Sequence, residues 1–323
     1  MIKFDKLKIV SSIENISNIN ENEFQSIVKD GIIKEQKFSI QSPYSLYIEA
    51  DFLGRELILE FSGKILKDDY PELIHVYNIH TCLNNINELG LCTLDVDGIL
   101  NDGEVVKADV CRDVDCMDCA TLTQSLRVSV KNFKKYLVRS INDNFVIEKN
   151  VQTKSCKRRL TVYDKEKELQ KASNRRFISS LNNPEMVLDN FRRKVRFEMN
   201  LNNKEQIRKS LNITDTSISS VLNTPATPIW DFLDKAISDK EVGTNCTSMT
   251  ELKNQLLLEH CGNDLVKVEA LLRNYCSPNT HISQVMKPYR ALMAKLSENN
   301  SLSLKQQLRN LLLEIVILLG IFI

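Results

Sequence analysis

The sequence predicts an α+β protein: an antiparallel sheet with helices on one face and an open charged face, followed by an all-helical carboxy-terminal subdomain. Three observations predict it. Short segments with period-2 alternation end at Leu201, Leu-rich patterns of helical spacing follow from Lys204, and glycine is scarce, with 9 in 323 residues. No Gly-x-Gly-x-x-Gly and no Gly-x4-Gly-Lys-Ser/Thr occurs, which disfavours a dinucleotide-binding sheet or a P-loop ATPase. The change of pattern divides the chain into residues 1–203 and 204–323. Its length and 42% hydrophobic content suffice for two domains.

Taken in order, strands are predicted near Ile2–Val10, Ser45–Phe52 and Leu57–Phe61, the last two forming a hairpin around Gly54. Asn15–Val28 reads as a polar segment or short helix. Residues 120–140 read as a helix, with Leu122, Leu126, Val130, Phe133 and Leu137 at three- and four-residue spacing. After Leu201 the predicted helices are Lys204–Leu211, Trp230–Ile237, Ser248–His260, Leu265–Tyr275, His281–Leu296 and Leu302–Leu318, with a break at Thr224–Pro228.

Three strands between these elements sort their side chains by face. In Val105–Asp115, Val106, Ala108, Val110 and Val114 lie opposite Asp109, Cys111, Asp113 and Asp115. In Val195–Leu201, Val195, Phe197, Met199 and Leu201 lie opposite Arg196, Glu198 and Asn200. In the stretch Leu160–Glu168, Leu160 and Val162 lie opposite Arg159, Thr161 and Tyr163, and a charged helix follows at once. Side by side, these strands would collect Asp109, Asp113, Tyr163 and Glu198 on one uncovered surface. A tyrosine ending a strand is by default a surface residue; beside acids and cations it fits a nucleophile toward a phosphodiester.

Net charge is +1, but its distribution is lopsided. Residues 121–210 hold 22 Lys and Arg against 9 Asp and Glu, whereas residues 51–120 hold 5 against 15. Lys157-Arg158-Arg159, Arg175-Arg176 and Arg192-Arg193-Lys194 fall between the candidate strands and are expected to meet phosphates. The amino terminus runs straight into a charged strand without a signal peptide, so a cytoplasmic protein with reduced cysteines is expected. Cys111, Cys116 and Cys119 would supply three zinc ligands, with no fourth Cys or His near them in sequence. The apolar Leu311–Ile323 falls short of the roughly 20 residues that span a bilayer and reads as a buried closing segment, with no membrane partner expected.

The ordered blocks Lys-Ala-Asp-Val-Cys-Arg-Asp (107–113), Tyr-Asp-Lys-Glu-Lys-Glu-Leu (163–169) and Val-Arg-Phe-Glu-Met-Asn-Leu (195–201) resemble rolling-circle replication initiators of the filamentous-phage gene II type, and more distantly the Rep transesterases of Gram-positive plasmids. Leu57–Leu66 looks like that family's strand and Ser-x-Lys turn, ahead of a helix near Ile79–Leu89. The resemblance covers about residues 1–215. It implies a DNA endonuclease and strand transferase in which Tyr163 attacks, Lys165 assists, and Asp109, Glu198 and Asp113 bind Mg²⁺ or Mn²⁺. Implied partners are origin DNA, single-stranded or supercoiled, a second copy of the chain, and a host helicase and polymerase.

Of the four histidines, none forms the His-hydrophobic-His motif of many tyrosine nickases, which favours carboxylate ligation. Asp109 and Asp113 lie about 13 Å apart along a strand at roughly 3.3 Å per residue, so Asp109 with Glu198 is the better pair. A phenol with a pKa near 10 costs roughly 4 kcal/mol to ionise at pH 7, and Lys165, Arg158, Arg159 or a bound cation would offset that. Attack would leave a 5′-phosphotyrosine and a free 3′-hydroxyl, and rejoining would need no nucleotide cofactor. The alternative is a non-catalytic origin-binding replication or regulatory protein that uses the same basic region.

Overall fold

In the computed structural model of this protein the described residues are 1–323 apart from 117, 131–134, 142–143, 151–157, 238–247, 278–279, 300–304, 306–307, 310–311 and 314–323. The strands in chain order are β1 (Phe4–Ser12), β2 (Ile16–Ser17), β3 (Gln25–Lys29), β4 (Ile32–Ile40), β5 (Leu46–Asp51), β6 (Glu56–Ser62), β7 (Thr93–Leu94), β8 (Glu104–Asp115), β9 (Tyr136–Ile141), β10 (Asn144–Lys149), β11 (Arg159–Asp164) and β12 (Lys194–Leu201). The helices are α1 (Ile79–Asn87), α2 (Val96–Asp102), α3 (Cys119–Ser129), α4 (Lys165–Leu169), α5 (Arg175–Ser179), α6 (Pro184–Asn190), α7 (Lys204–Leu211), α8 (Ile218–Leu222), α9 (Pro228–Ala236), α10 (Met249–His260), α11 (Leu265–Arg273), α12 (Ile282–Val285) and α13 (Lys287–Asn299). The α+β class, the antiparallel sheet and the helical carboxy-terminal region are as the sequence predicts.

The chain divides into two compact units. One comprises Met1–Asp115, the described part of Thr153–Arg158 and Asp164–Ile229, the other the described parts of Cys116–Gln152, Arg159–Tyr163 and Trp230–Ile323. Helices α7 and α8, beyond residue 203, therefore cluster with the first unit.

In the first unit seven antiparallel strands run in the order β3-β4-β5-β6-β1-β8-β12. Alternation builds its core: Leu7, Ile9, Leu46, Ile48, Leu57, Leu59 and Phe61 are buried on one face, where α2, α7 and α8 pack. Each such side chain contributes about 1.5–3 kcal/mol by leaving water. Side-chain caps start the helices at fixed places, Asp95 accepting from the Gly98 N–H and Asn203 from the Gln206 N–H. The hairpin predicted around Gly54 is present as β5 and β6, and Asp51 Oδ1 accepts from the Leu53 and Gly54 amides to turn it.

The Asn15–Val28 stretch instead carries β2 and the first residues of edge strand β3, which pairs with β4 through Asp30 and Gly31, both at positive φ. The Asp30-Gly31 dipeptide is itself a hairpin signal, but the strands it joins are largely exposed and carry no clean alternation to accompany it.

The opposite face of this sheet is the charged one, but it is covered near β12. The 3-10 stretch Gly63–Glu72 and helices α4 to α6 bring Tyr70, Leu73, Leu169, Phe177, Val187 and Phe191 together with Cys111 in one apolar cluster. Alternation assigns a residue to a face; it is silent about what later packs on that face.

The second unit contains the antiparallel strands β9, β10 and β11, with α3 and the helices from α10 onward. Its helical core gathers Val128, Leu258, Cys261, Val268, Met286, Tyr289, Leu292 and Met293. The helix expected over 120–140 is shorter. It ends at Ser129, Val130 bridges to Ile237 in extended form, and Leu137, expected on its stripe, lies in β9. The tail at 314–323 and the helix expected over 302–318 lie largely outside the described residues. Among those described, no helix is long and apolar enough to cross a membrane.

Candidate active site and nucleic-acid interface

Antiparallel pairing of β8 with β12 sets Asn200 opposite Asp109 and Glu198 opposite Cys111. The Asn200 amide nitrogen donates to Asp109 Oδ1 at 2.7 Å and to Glu198 Oε1 at 3.2 Å. Two carboxylate oxygens held by one nitrogen lie within about 6 Å of each other. Burial, with Asp5 nearby, raises the Asp109 carboxyl above its ordinary range, against the Asn200 hydrogen bond and the charges of Lys107 and Lys6. These hard oxygen donors suit Mg²⁺ or Mn²⁺, which commonly takes one or two protein carboxylates and completes its shell with water and substrate phosphate. Among the described residues no group of three or more His, Cys, Asp and Glu is placed to hold a metal, the Cys111, Cys116 and Cys119 set included.

Cations stand beside this pair. Lys6, opposite Asp109 in the β1–β8 register, lies 2.9 Å from Glu60, with Lys107 at 3.3 Å and Lys8 at 3.9 Å from the same carboxylate. Burial works to raise Glu60, yet Lys6 and Lys107 leave it below the ordinary carboxylate range. Lys6, Lys8 and Lys107 thus surround Glu60 next to Asp109.

Asp113 has a different task. Arg196, wholly buried, donates Nε to Asp113 Oδ1 and Nη2 to Asp113 Oδ2, each at 2.7 Å, and Nη1 to Asp5 Oδ1 at 2.5 Å. A register shift between Phe4 and Lys6 inserts Asp5 as an extra residue opposite β8, a bulge that aims its carboxylate at Arg196. Tyr70 donates its hydroxyl to the same Asp5 oxygen at 2.9 Å. Burial, then Asp5, pushes that phenol well above its ordinary value, while Arg196 and Lys165 hold Asp5 low in spite of burial.

Lys165 is only 2% exposed. Its ammonium lies 2.6 Å from Glu168 and over the rings of Tyr70 and Phe191, at 5.2 and 5.7 Å, and the Arg196 guanidinium stands over the same two rings. Glu168 in turn accepts from Asn174, whose Oδ1 accepts from Lys64. Three cations and three anions thus form one buried network that anchors α4 beside β12. Asp164 caps α4 by accepting from the Lys167 amide.

Tyr163 is 9% exposed, and β11 is buried on both faces from Leu160 to Tyr163, so the expected exposed tyrosine is not found. Two tyrosines on the charged side of the first unit are poor nucleophiles. Tyr70 is bonded to Asp5, and Tyr47 donates to Glu49, with burial and that bond pushing its phenol up to about 12.

Of the basic clusters, Lys157 lies outside the described residues and Arg158 is half-buried, whereas Arg159, Arg175, Arg176, Arg192 and Arg193 are exposed. Arg192 pairs with Asp189 at 2.7 Å, the Arg193 amide donates to Glu166, and the Lys194 ammonium reaches Asn190. The sequence pattern assigns no role to Lys6, Lys8, Lys107, Asp5, Tyr70 and Asn200. The alternation of Lys6 and Lys8 in β1 was a usable signal; the bulge that recruits Asp5 had none.

No family model matches this chain, and no curated protein matches it. Among solved structures the chain is similar to a rolling circle replication initiator protein from Geobacillus stearothermophilus, at 12% identity and a TM-score of 0.37, over 77% of this chain and 90% of that one.

Proposed function

We propose that the protein initiates rolling-circle DNA replication by nicking and rejoining DNA, with Asp109 and Glu198 as ligands of Mg²⁺ or Mn²⁺ and Tyr163 as nucleophile. The observation that carries the reading is the Asp109–Glu198 pair, gathered from neighbouring strands around one amide beside a lysine-rich patch. The ordered blocks at 107–113, 163–169 and 195–201 supply the reaction class. A bound ion would polarise the scissile phosphate, while Lys6, Lys8 and Lys107 would hold its neighbours along the strand. Asp113 and Lys165 act in this reading as positioning residues through Arg196 and Glu168. Attack by Tyr163 requires its hydroxyl to be uncovered when DNA binds.

That burial favours a second reading, a replication or regulatory protein that binds origin DNA without cutting it. Replacing Tyr163 with Phe separates the two. The nicking protein converts supercoiled origin plasmid to open circles with Mn²⁺, and Tyr163→Phe abolishes this while binding persists. A binding protein leaves the plasmid supercoiled in both forms.

A further inference from the structure

Asp109, Glu198 and Asn200 share one face of the β8–β12 pair, because the register sets Asn200 opposite Asp109 and Glu198 lies two residues before Asn200 on the same strand. All three are half-buried. Among the described residues no third His, Cys, Asp or Glu joins the two acids to hold a metal. Mg²⁺ and Mn²⁺ accept other hard oxygens as well, and a side-chain amide carries one. Asn200 holds its amide where such an oxygen would be needed. Its nitrogen is 2.7 Å from Asp109 Oδ1 and 3.2 Å from Glu198 Oε1. In an octahedral shell with bonds of about 2.1 Å, neighbouring ligand atoms lie about 3.0 Å apart, the bond length times the square root of two. The two observed distances bracket that spacing.

From this spacing we propose that Asn200 is a third protein ligand of the ion that Asp109 and Glu198 hold, through its Oδ1, which a half-turn of the amide brings to the place of Nδ2. Such a role rests on the proposed metal role of the acid pair. The half-turn exchanges two atoms in nearly the same positions, and the torsion is a soft one. Without a metal the amide presents its N–H groups, because two carboxylates repel an oxygen placed beside them. With a metal the carbonyl oxygen turns in. Once Asp109 Oδ1 and Glu198 Oε1 close to the same spacing, the three oxygens form one face of the shell, and the opposite face stays open to water and to a phosphate of the strand. Two carboxylates already balance a divalent charge, so a neutral amide adds a bond without adding repulsion toward that phosphate.

The test is Mn²⁺ binding to the full chain without DNA, followed by electron paramagnetic resonance, with the waters on the bound ion counted by proton relaxation. Asn200→Leu keeps the size of the side chain and removes both amide heteroatoms. It should weaken Mn²⁺ binding by roughly tenfold or more and leave about one more water on the bound ion. Asn200→Asp keeps an oxygen but has no N–H donor, and it should bind Mn²⁺ at least as tightly as the parent, with the parent's water count. If the amide serves only as a donor that holds the metal-free acids together, Asn200→Leu binds Mn²⁺ as tightly as the parent or more tightly, with no change in water count, since no hydrogen bond then has to be displaced. That result overturns the ligand role of Asn200 and leaves the metal role of the acid pair standing. A parent that binds no Mn²⁺ below about 10 mM overturns both. Thermal melting of the metal-free variants shows whether each folds. Should Asn200→Leu fail to fold, Asn200→Asp decides alone, and weaker binding or an added water in it rejects the ligand role.

Discussion

Arg196 clasps Asp113 through two parallel hydrogen bonds of 2.7 Å across β12 and β8, with the guanidinium wholly shut off from solvent. Because Asp5 and Tyr70 complete the same clasp, the strand that carries Glu198 is tied to the strand that carries Asp109 two residues from the candidate metal pair.

Removing one partner of this pair leaves the other charge buried. Asp113→Ala is expected to cost about 3–5 kcal/mol, the usual penalty for a stranded buried ion. Urea denaturation at pH 7 measures it. A loss below about 1 kcal/mol would show that water or another group replaces the carboxylate, contrary to the network described above.

Asp109 gives a pH signature of opposite sign to that of an ordinary paired carboxylate. Its folded-state pKa is raised, so the folded protein holds the proton more tightly than the unfolded chain. Stability from this group therefore falls as pH rises from the ordinary aspartate value through the raised one. Asp109→Asn should make the metal-free protein more stable than the parent at pH 7, with the gain disappearing below about pH 4. The same substitution should abolish the stabilisation that millimolar Mn²⁺ gives the parent. Denaturation midpoints at the two pH values, with and without Mn²⁺, check both parts.

Glu168 behaves in the usual direction. Lys165, with Asn174 and Lys64, holds its carboxyl below the ordinary range despite burial, so its contribution is present above the unfolded pKa and lost as pH falls through the folded one. Glu168→Gln should thus destabilise the protein at pH 7 and much less under acid conditions, where the parent has already lost the ion pair.

For DNA binding, the lysines beside the acids and the arginines of α5 predict separable effects. Lys6→Gln with Lys8→Gln, and separately Arg175→Gln with Arg176→Gln, should each weaken single-stranded DNA binding. Each pair should lower the slope of log affinity against log salt by roughly 1.4, about 0.7 per phosphate contact. A slope unchanged in the Lys6 and Lys8 variant would remove the positive patch from the proposed DNA path.

Much of the first unit is readable in the sequence because alternation holds along most of its strands: Leu7 and Ile9, Leu57 and Leu59, and Val110 and Met199 are buried as their spacing dictates, whereas in β8 the register shift opposite Lys8 and Ile9 buries Val105 in place of the expected Val106. The same alternation puts Asp109, Asp113, Arg196 and Glu198 on one side. It does not say that Asp113 would be consumed by Arg196, because that depends on the register between β8 and β12, nor that Asp5 and Tyr70, 65 residues apart, would join them. Nor does a strand pattern reveal the covering layer over β12, since α4 to α6 are short helices whose apolar residues make sense only once Tyr70 and Phe191 stand beneath Lys165 and Arg196. The shortened α3 has a related cause: Leu137 keeps the helical spacing, but its register is set by pairing with Glu148 in β10.

In the proposed reaction Tyr163 attacks a phosphodiester and Asp109 and Glu198 hold the metal. The most direct measurement incubates the protein and Mn²⁺ with single-stranded DNA covering the region around its own coding sequence, then maps any covalent protein–DNA adduct by mass spectrometry. A phosphotyrosyl peptide containing Tyr163 is expected, absent from the Asp109→Asn protein. An adduct on another tyrosine, such as the exposed Tyr77, or DNA bound tightly with no adduct at all, would contradict it.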